Sequence, residues 1–144
     1  IQAWSTSRCK RCWSYNSQIM KYFLSLGSNI NAEENLEFGY KKLKKILSNI
    51  QSSSIHQTKA EGFEGDDFLN SIVCGNSDMD FTNLSKELKL IEDDAGRNRN
   101  TPKFSSRTLD IDIVLQIDDN NDILFESDEI QNYSFVSEPL KELI

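Results

Sequence analysis

The chain has 144 residues, with 16 Lys and Arg against 23 Asp and Glu, so its formal net charge is -7. Apolar residues make up 38% and charged residues 27%, a composition typical of one globular domain with its own core. The acidic balance argues against broad nucleic-acid binding, and no run approaches the roughly 20 apolar residues that a membrane-spanning helix needs.

Residues 1–19 differ in composition from the rest of the chain. They contain both tryptophans and two of the three cysteines, but no apolar run of the kind found in signal peptides. The two cysteines have C-x-x-C spacing, yet only Cys74 and His56 remain as further ligands, so we do not expect a structural zinc site. We expect residues 1–19 to be a non-native or disordered leader and residues 20–144 to form a single domain.

From residue 20 onward, the hydrophobic pattern predicts strands alternating with helices. Short apolar runs bounded by Gly, Asn or Ser are typical of strands, and leucines recurring every three or four residues are typical of helices. In chain order the predicted elements are strand 22–26 with a turn at 27–29, helix 33–47, strand 50–56, strand 68–74, a helix from 80 or 82 to 94, strand 109–115, an acidic turn at 118–122 and a helix over about 134–143. The order β-α-β-β-α-β indicates an α+β, ferredoxin-like fold with an antiparallel sheet and helices mainly on one face.

The segment 107–115, Arg-Thr-Leu-Asp-Ile-Asp-Ile-Val-Leu, is the most informative part of the sequence. Because side chains alternate along a strand, Asp110 and Asp112 should share one face about 7 Å apart, with Thr108, while the residues between them face the core. Two carboxylates on one face favour a divalent cation, and Mg²⁺ commonly binds one or two carboxylates together with substrate phosphates. Taken alone, however, such a pair is more typical of an exposed strand face.

Four cations immediately precede this pair in an otherwise acidic chain: Arg97, Arg99, Lys103 and Arg107. Guanidinium groups can neutralise phosphate charge, so cations beside paired carboxylates favour a phosphoryl-transfer site. The alternative is a solvated loop whose cations pair with the acidic residues 92–94. That alternative explains the charges but not the aspartates that follow on one face.

Aromatic and amide side chains are candidates for binding a flat small molecule. Phe104 lies in the basic loop and Phe135 near the end of the chain, while Phe68 and Asn70 begin a strand. Each has a structural alternative, because Phe is more often part of a core and Asn is common at strand ends. Cys74 lies in the same apolar strand and is expected to be a buried small hydrophobe, as in proteins of a reducing cytoplasm.

Together these residues resemble the 6-hydroxymethyl-7,8-dihydropterin pyrophosphokinase family of folate biosynthesis over essentially all of residues 20–144. The motifs that carry the resemblance are Leu-Gly-Ser-Asn at 26–29, Phe-Leu-Asn at 68–70, Ile91-Glu92 with Gly96-Arg97 and, above all, Arg-Thr-Leu-Asp-Ile-Asp at 107–112. The resemblance implies the ferredoxin-like fold and transfer of the β,γ-pyrophosphoryl group of ATP to the pterin hydroxymethyl oxygen, with release of AMP. It implies a cytoplasmic enzyme acting on these two small molecules, and we expect a monomer that binds neither nucleic acid nor membrane.

The resemblance also implies roles for individual residues. Asp110 and Asp112 would hold two Mg²⁺ ions that bridge the triphosphate, and with Arg97 and Arg107 they would form the catalytic set. The residues implied in pterin binding are Thr58, Phe68, Asn70, Phe104 and Phe135, with the ring held between Phe68 and Phe135. The residues implied in ATP binding are Glu92, Arg97, Arg99, Lys103, Arg107, Ile113 and Ser127. No dedicated general base is evident, and we expect the polar loops 57–66 and 95–106 to close over substrate.

The sequence also departs from the family pattern. The loop after the second strand is usually Pro-rich but is Thr-Lys-Ala-Glu here, and a His and an Arg that serve the triphosphate are absent near Ser127 and Tyr133. A pterin- or nucleotide-binding paralogue with weak or no turnover is therefore an alternative to the active enzyme. An RNA-binding module is a weaker one, because its sheet would display a basic face instead of aspartates. The chain ends at Ile144, before the family usually does, so we expect a terminal segment to be absent.

Overall fold

The computed structural model describes residues 19–59, 66–96 and 108–144. Its elements are β1 (Met20–Ser28), α1 (Ala32–Leu43), β2 (Ser48–Ser52), β3 (His56–Thr58), β4 (Phe68–Ser77), α2 (Phe81–Asp94), β5 (Asp110–Ile117), β6 (Ile123–Glu126), α3 (Glu129–Asn132) and α4 (Ser134–Lys141). The strands form one antiparallel sheet in the order β2-β4-β1-β5-β6, and β3 also pairs with β4. The predicted α+β, ferredoxin-like fold is confirmed.

Several boundaries differ from the pattern in the sequence. The strand expected over 50–56 is divided into β2 and β3 at Ser53, whose N–H donates to the Ile72 carbonyl at 2.8 Å and whose hydroxyl accepts from the Ile72 N–H at 2.9 Å. The turn expected at 27–29 begins later, because β1 continues through Ser28. No pattern in the sequence indicates β6 or α3, which are four residues long and have no buried residues.

Local side-chain chemistry sets the start of α2. The Asp80 side chain accepts a hydrogen bond from the Asn83 N–H at 2.8 Å, so Asp80 is the N-cap and Thr82 lies inside the helix. The acidic turn after β5 is held in the same way, because the Asp118 carboxylate accepts from the N–H groups of Asn120 and Asp122. Both features were expected from the sequence.

The sheet has an apolar cluster on each face. The cluster that packs against α1 and α2 is the larger and contains Tyr22, Leu24, Leu26, Leu36, Leu43, Leu47, Val73, Leu84, Leu88, Ile91, Leu109, Ile111 and Ile113. The cluster on the other face packs against α4 and contains Phe23, Ile72, Cys74, Val114, Leu115, Val136 and Leu140. Cys74 is buried as expected, and burial raises the pKa of its thiol. In the described part of the chain, no helix has the length and apolar character to cross a membrane.

Candidate active site

Three strands bring the predicted site residues into one row across the sheet. Asp110 of β5 lies opposite Gly27 of β1, and Gly27 lies opposite Asn70 of β4. Residues directly opposite one another share a face, and strands are spaced about 4.8 Å apart, so Asp110 and Asn70 face the same way about 10 Å apart. In the next row Asp112 lies opposite Ser25, which places both aspartates on the face opposite α1 and α2.

Gly27 lies between Asp110 and Asn70 in the sheet, and we call the surface formed by Gly27 and Asn70 the Gly27–Asn70 floor. A Cβ atom at this position would lie 3.0 Å from Asn70 Oδ1 and 4.0 Å from a ring carbon of Phe68. The buried Asn70 side chain donates through Nδ2 to Thr58 Oγ1 at 2.9 Å. The structure therefore brings together Thr58, Phe68 and Asn70, three of the residues implied in pterin binding.

Phe135, also implied in pterin binding, lies on α4, a helix that contacts β3 and β4. Its ring packs against the smaller apolar cluster and stacks on Tyr133, with ring centroids 4.9 Å apart and an interplanar angle of 25°. Tyr133 lies near the position at which the resemblance implied an arginine, and it makes an aromatic contact there. The other implied residues of this region, Phe104, Arg97, Arg99, Lys103 and Arg107, lie outside the described residues.

A cleft of about 380 Å³ runs along the edge of β5 that faces α2 and α3. Among the described strands, β6 pairs with β5 over Leu115–Ile117, so the first half of β5 borders this cleft. Apolar side chains of α2 and β5 line it, among them Phe81, Leu88 and Ile113, and so do both aspartates. Asp110 and Asp112 thus lie between the cleft and the Gly27–Asn70 floor.

Glu92 forms part of the cleft wall. Its side chain is buried, and its Oε2 accepts a hydrogen bond from the Ile111 N–H at 2.7 Å. That N–H belongs to the residue between the two aspartates. Glu92, which lies on α2, therefore holds the backbone segment that carries the aspartates. This contact adds a positioning role to the nucleotide contact that the resemblance implied for Glu92.

Ser127 and Ile113 occupy different places around the cleft. Ile113 lines it directly, whereas Ser127 begins the segment leading into α3. The Ser127 N–H donates to the Val114 carbonyl at 2.9 Å, and its hydroxyl accepts from the Glu129 N–H at 3.1 Å. Glu129 itself borders the cleft, a position that no sequence pattern indicates.

The two aspartates fit an open magnesium site completed by substrate. Over the ranges 19–59, 66–96 and 108–144, no group of three or more His, Cys, Asp or Glu side chains could hold a metal ion. A pair of carboxylates is the protein contribution that Mg²⁺ usually takes when phosphate oxygens and water complete its octahedral shell. Next to the pair, Thr108 Oγ1 is buried and has no hydrogen-bond partner among the described residues.

A second and larger depression, of about 850 Å³, lies at the start of α1. It is shallow and polar, and its lining includes the carboxylates Glu33, Glu34, Asp66 and Asp67. The cleft along β5 also carries four carboxylates, so charge alone does not separate the two, but of these two depressions only the cleft contains a pair of aspartates on one strand face that could hold Mg²⁺ for a triphosphate. The narrower cleft along β5 is therefore the better candidate for the anionic substrate.

Gly27 is the site residue that the sequence pattern misassigned, since it was expected in a turn. A glycine inside a strand often marks the close approach of a ligand or of another backbone, and that signal was present in the sequence. Tyr133 was noted only as a missing arginine. Its stacking on Phe135 depends on the packing of α4, which no local pattern indicates.

A protein-family model matches most of the chain. Residues 23–144 match the model described as 7,8-dihydro-6-hydroxymethylpterin-pyrophosphokinase. The matched range contains every element from the middle of β1 to α4, and it includes both aspartates and Asn70.

Curated relatives agree with this match. The chain is 36% identical over 104 residues to a folate synthesis bifunctional protein of Chlamydia trachomatis, which covers 67% of this chain and 23% of that protein. It is 29% identical over 128 residues to a 2-amino-4-hydroxy-6-hydroxymethyldihydropteridine pyrophosphokinase of Haemophilus influenzae, covering 84% and 79% of the two chains. It is 31% identical over 101 residues to the protein of the same name from Aquifex aeolicus, covering 67% and 61%. The chain thus spans about a quarter of the length of the bifunctional relatives and more of the others.

Proposed function

Because the chain belongs to the 7,8-dihydro-6-hydroxymethylpterin-pyrophosphokinase family, we propose that it transfers the β,γ-pyrophosphoryl group of ATP to 6-hydroxymethyl-7,8-dihydropterin. The products are AMP and the pterin diphosphate, a step of folate biosynthesis. The observation that carries this proposal is the position of Asp110 and Asp112, between a cleft on one side and the Gly27–Asn70 floor on the other. A reaction that joins two substrates needs its charged groups at such a junction.

The floor supports binding of the pterin. A pterin presents a flat ring with hydrogen-bond donors and acceptors along its edge. The Asn70 amide, held by Thr58, offers both kinds of group, and Phe68 lies beside it as a surface on which the ring can stack. With the ring on Phe68 and its edge at Asn70, the hydroxymethyl group would extend over Gly27 toward Asp110.

The cleft supports binding of ATP. Apolar side chains such as Phe81 and Leu88 suit the adenine ring, and the triphosphate would run along β5 toward the aspartates. Asp110 and Asp112 would hold two Mg²⁺ ions, which supply positive charge to the phosphate oxygens when bound. Arg97, Arg99, Lys103 and Arg107 are proposed as the cations that contact the triphosphate, with Arg107 nearer the pterin.

The chemistry requires positioning more than acid–base catalysis. The hydroxymethyl oxygen forms a bond to the β-phosphorus as the bond from that phosphorus to the oxygen shared with the α-phosphate breaks. AMP leaves with that oxygen, and the hydroxyl proton passes to Asp112 or to solvent. Holding two reactants in line can by itself supply about 7–11 kcal/mol of the barrier reduction. The Glu92 contact to the Ile111 N–H keeps the aspartate-bearing backbone in place for this alignment.

A second candidate is a pterin- or nucleotide-binding paralogue with weak turnover. It is favoured by one observation, the stacking of Tyr133 on Phe135 near the position at which the resemblance implied a cation for the triphosphate. The retained aspartate pair favours the active enzyme, whereas the Asn70–Thr58 contact fits pterin binding in either case. We further propose a monomer in the cytoplasm that acts on small molecules and binds no nucleic acid.

The deciding experiment measures AMP formed from ATP and Mg²⁺ with and without 6-hydroxymethyl-7,8-dihydropterin. Pterin-dependent AMP together with pterin diphosphate is the expected result. AMP formation that does not depend on pterin would contradict the proposed acceptor. Calorimetric binding of pterin without AMP formation would establish the paralogue instead.

A further inference from the structure

A group of three polar residues joins the end of α4 to the β2–β3 connection. Glu142 Oε1 accepts from the Ser54 N–H at 2.8 Å, and Oε2 accepts from the Ser54 hydroxyl at 2.8 Å. The His56 ring nitrogen Nε2 lies 2.6 Å from the same Oε2. We call these three residues the Ser54–His56–Glu142 clasp.

The clasp is more specific than an ordinary surface ion pair. Glu142 lies 86 residues from His56 and 88 residues from Ser54 in sequence, and both of its carboxylate oxygens accept or share hydrogen bonds. The pKa of Glu142 is lowered to about 2, most strongly by the hydrogen bond from the Ser54 backbone N–H. The bonds with His56 and with the Ser54 hydroxyl add to this lowering of the pKa. Charge-assisted hydrogen bonds in such a fixed arrangement hold two segments at a defined distance.

Both segments carry residues of the proposed pterin pocket. On one side, His56 is paired with Asn70 in the β3–β4 register, and Thr58 is the last residue of β3. On the other side, α4 carries Phe135 and ends directly before Glu142. The clasp therefore ties the strand that holds the Asn70–Thr58 edge to the helix that holds the Phe135 ring.

We propose that Glu142 is a positioning residue for the pterin pocket, fixing the separation between Phe135 on α4 and the Thr58–Asn70 edge. This inference rests on the proposed function, since it concerns how that pocket selects its ligand. The ATP cleft lies along β5 between α2 and α3, away from β3. Loss of the clasp should therefore weaken pterin binding and leave ATP binding unchanged.

The test compares Glu142→Ala and Glu142→Gln with Glu138→Ala. Glu138 is a matched control, because it is an exposed carboxylate of α4 whose bond, at 2.8 Å, goes to Lys141 on the same helix. The readouts are the pterin Kd by calorimetry without ATP, the KM for each substrate, and the melting temperature. A misplacement of about 1 Å can lower the rate of an enzyme about 100-fold. We expect a shift of this kind in Glu142→Ala to raise the pterin Kd about tenfold.

Selectivity separates positioning from a merely structural role. We expect the KM for ATP to stay within about twofold, Glu142→Gln to recover part of the pterin affinity because its amide oxygen can still accept from the Ser54 N–H, and Glu138→Ala to behave as wild type. If Glu142→Ala does not fold, Ser54→Ala and Glu142→Gln make the same comparison. An unchanged pterin Kd, or equal losses for both substrates, overturns the inference while the proposed function stands. A wild-type protein that binds no pterin overturns both.

Discussion

The two faces of the sheet differ in what they contribute. The face toward α1 and α2 presents a continuous apolar row that includes Leu26 and Ile111, both almost fully buried. The opposite face carries the smaller apolar cluster that packs against α4, and at the ends of β1, β4 and β5 it carries Gly27, Asn70 and Asp110. Because side chains alternate along a strand, we expect the aspartates of β5 to act mainly in the proposed binding and Ile111 to act mainly in stability, although all of them border the cleft. The difference predicts that substitutions one residue apart have unrelated effects.

The largest effect is expected for Asp110→Asn and Asp112→Asn. Each removes a proposed metal ligand without changing side-chain size, and bound metal supplies several kcal/mol of transition-state stabilisation. Since 1.36 kcal/mol corresponds to a factor of ten, we expect kcat to fall by about 10³-fold or more, with little change in the free energy of unfolding. Steady-state AMP formation and urea unfolding measure the two quantities.

Asp119→Asn is the matched control for these variants. Asp119 is an exposed residue in the turn that follows β5, so the same change of charge occurs away from the cleft. It should retain wild-type activity. An Asp110→Asn or Asp112→Asn variant with most of its activity would remove the metal assignment.

The next effect is on stability and comes from Ile111→Ala. Ile111 lies between the aspartates but packs against the α1 and α2 side, where it is 4% exposed. Truncating a buried Ile to Ala costs about 2–5 kcal/mol, and Ile to Val about 0.5–1.5 kcal/mol. We expect urea unfolding to show this graded loss, while kcat stays within a few-fold under conditions where the variant is folded. A large loss of kcat at unchanged stability would mean that the two faces are not separable here.

The separation of the faces explains which parts of the molecule the sequence could predict. Local alternation over 107–115 was sufficient to place Asp110 and Asp112 on one face and Ile111 in the core. The row from Asp110 through Gly27 to Asn70 depends on pairing between strands distant in sequence, which no local pattern encodes.

Two further features could not be predicted from the sequence, for related reasons. The short strand β6 lacks the alternation that identifies strands, since Ile123 and Leu124 are both exposed. The contact of Glu142 with Ser54 joins segments 88 residues apart, and nothing in the surrounding sequence marks either residue as a partner. The motifs thus indicate which residues form the proposed site, and the tertiary packing determines how those residues are arranged.

A smaller effect should distinguish two buried glycines on opposite faces. A Cβ atom at Gly27 would meet the Asn70 amide oxygen at 3.0 Å, whereas one at Gly75 would meet Leu47 Cβ at 2.9 Å. We expect Gly27→Ala to displace the Asn70 amide and raise the pterin KM about tenfold, because misplaced binding groups are costly. The KM for ATP should not change.

Gly75→Ala provides the opposite expectation. It crowds the apolar side, where overpacking costs about 1–3 kcal/mol of stability, and should leave both KM values unchanged. Urea unfolding and steady-state kinetics on the pair measure the contrast. A Gly27→Ala variant with a normal pterin KM would show that the substrate does not lie over this floor.

The smallest expected effect is the acid response of the clasp that borders the pterin side. Contacts with Ser54 and His56 lower the pKa of Glu142 from 4.5 to about 2 in the folded protein. A carboxyl group whose pKa is lower in the folded state stabilises the fold fully above its unfolded pKa and loses that contribution as pH falls to the folded value. The part of the stability difference between wild type and Glu142→Gln that comes from the carboxyl group should therefore shrink as pH falls between 4.5 and about 2. The exposure of Glu142 keeps this difference small, because solvent screens the charge. Urea unfolding across this pH range measures it, and a difference that does not vary with pH would show that Ser54 and His56 do not hold the carboxylate in its charged form.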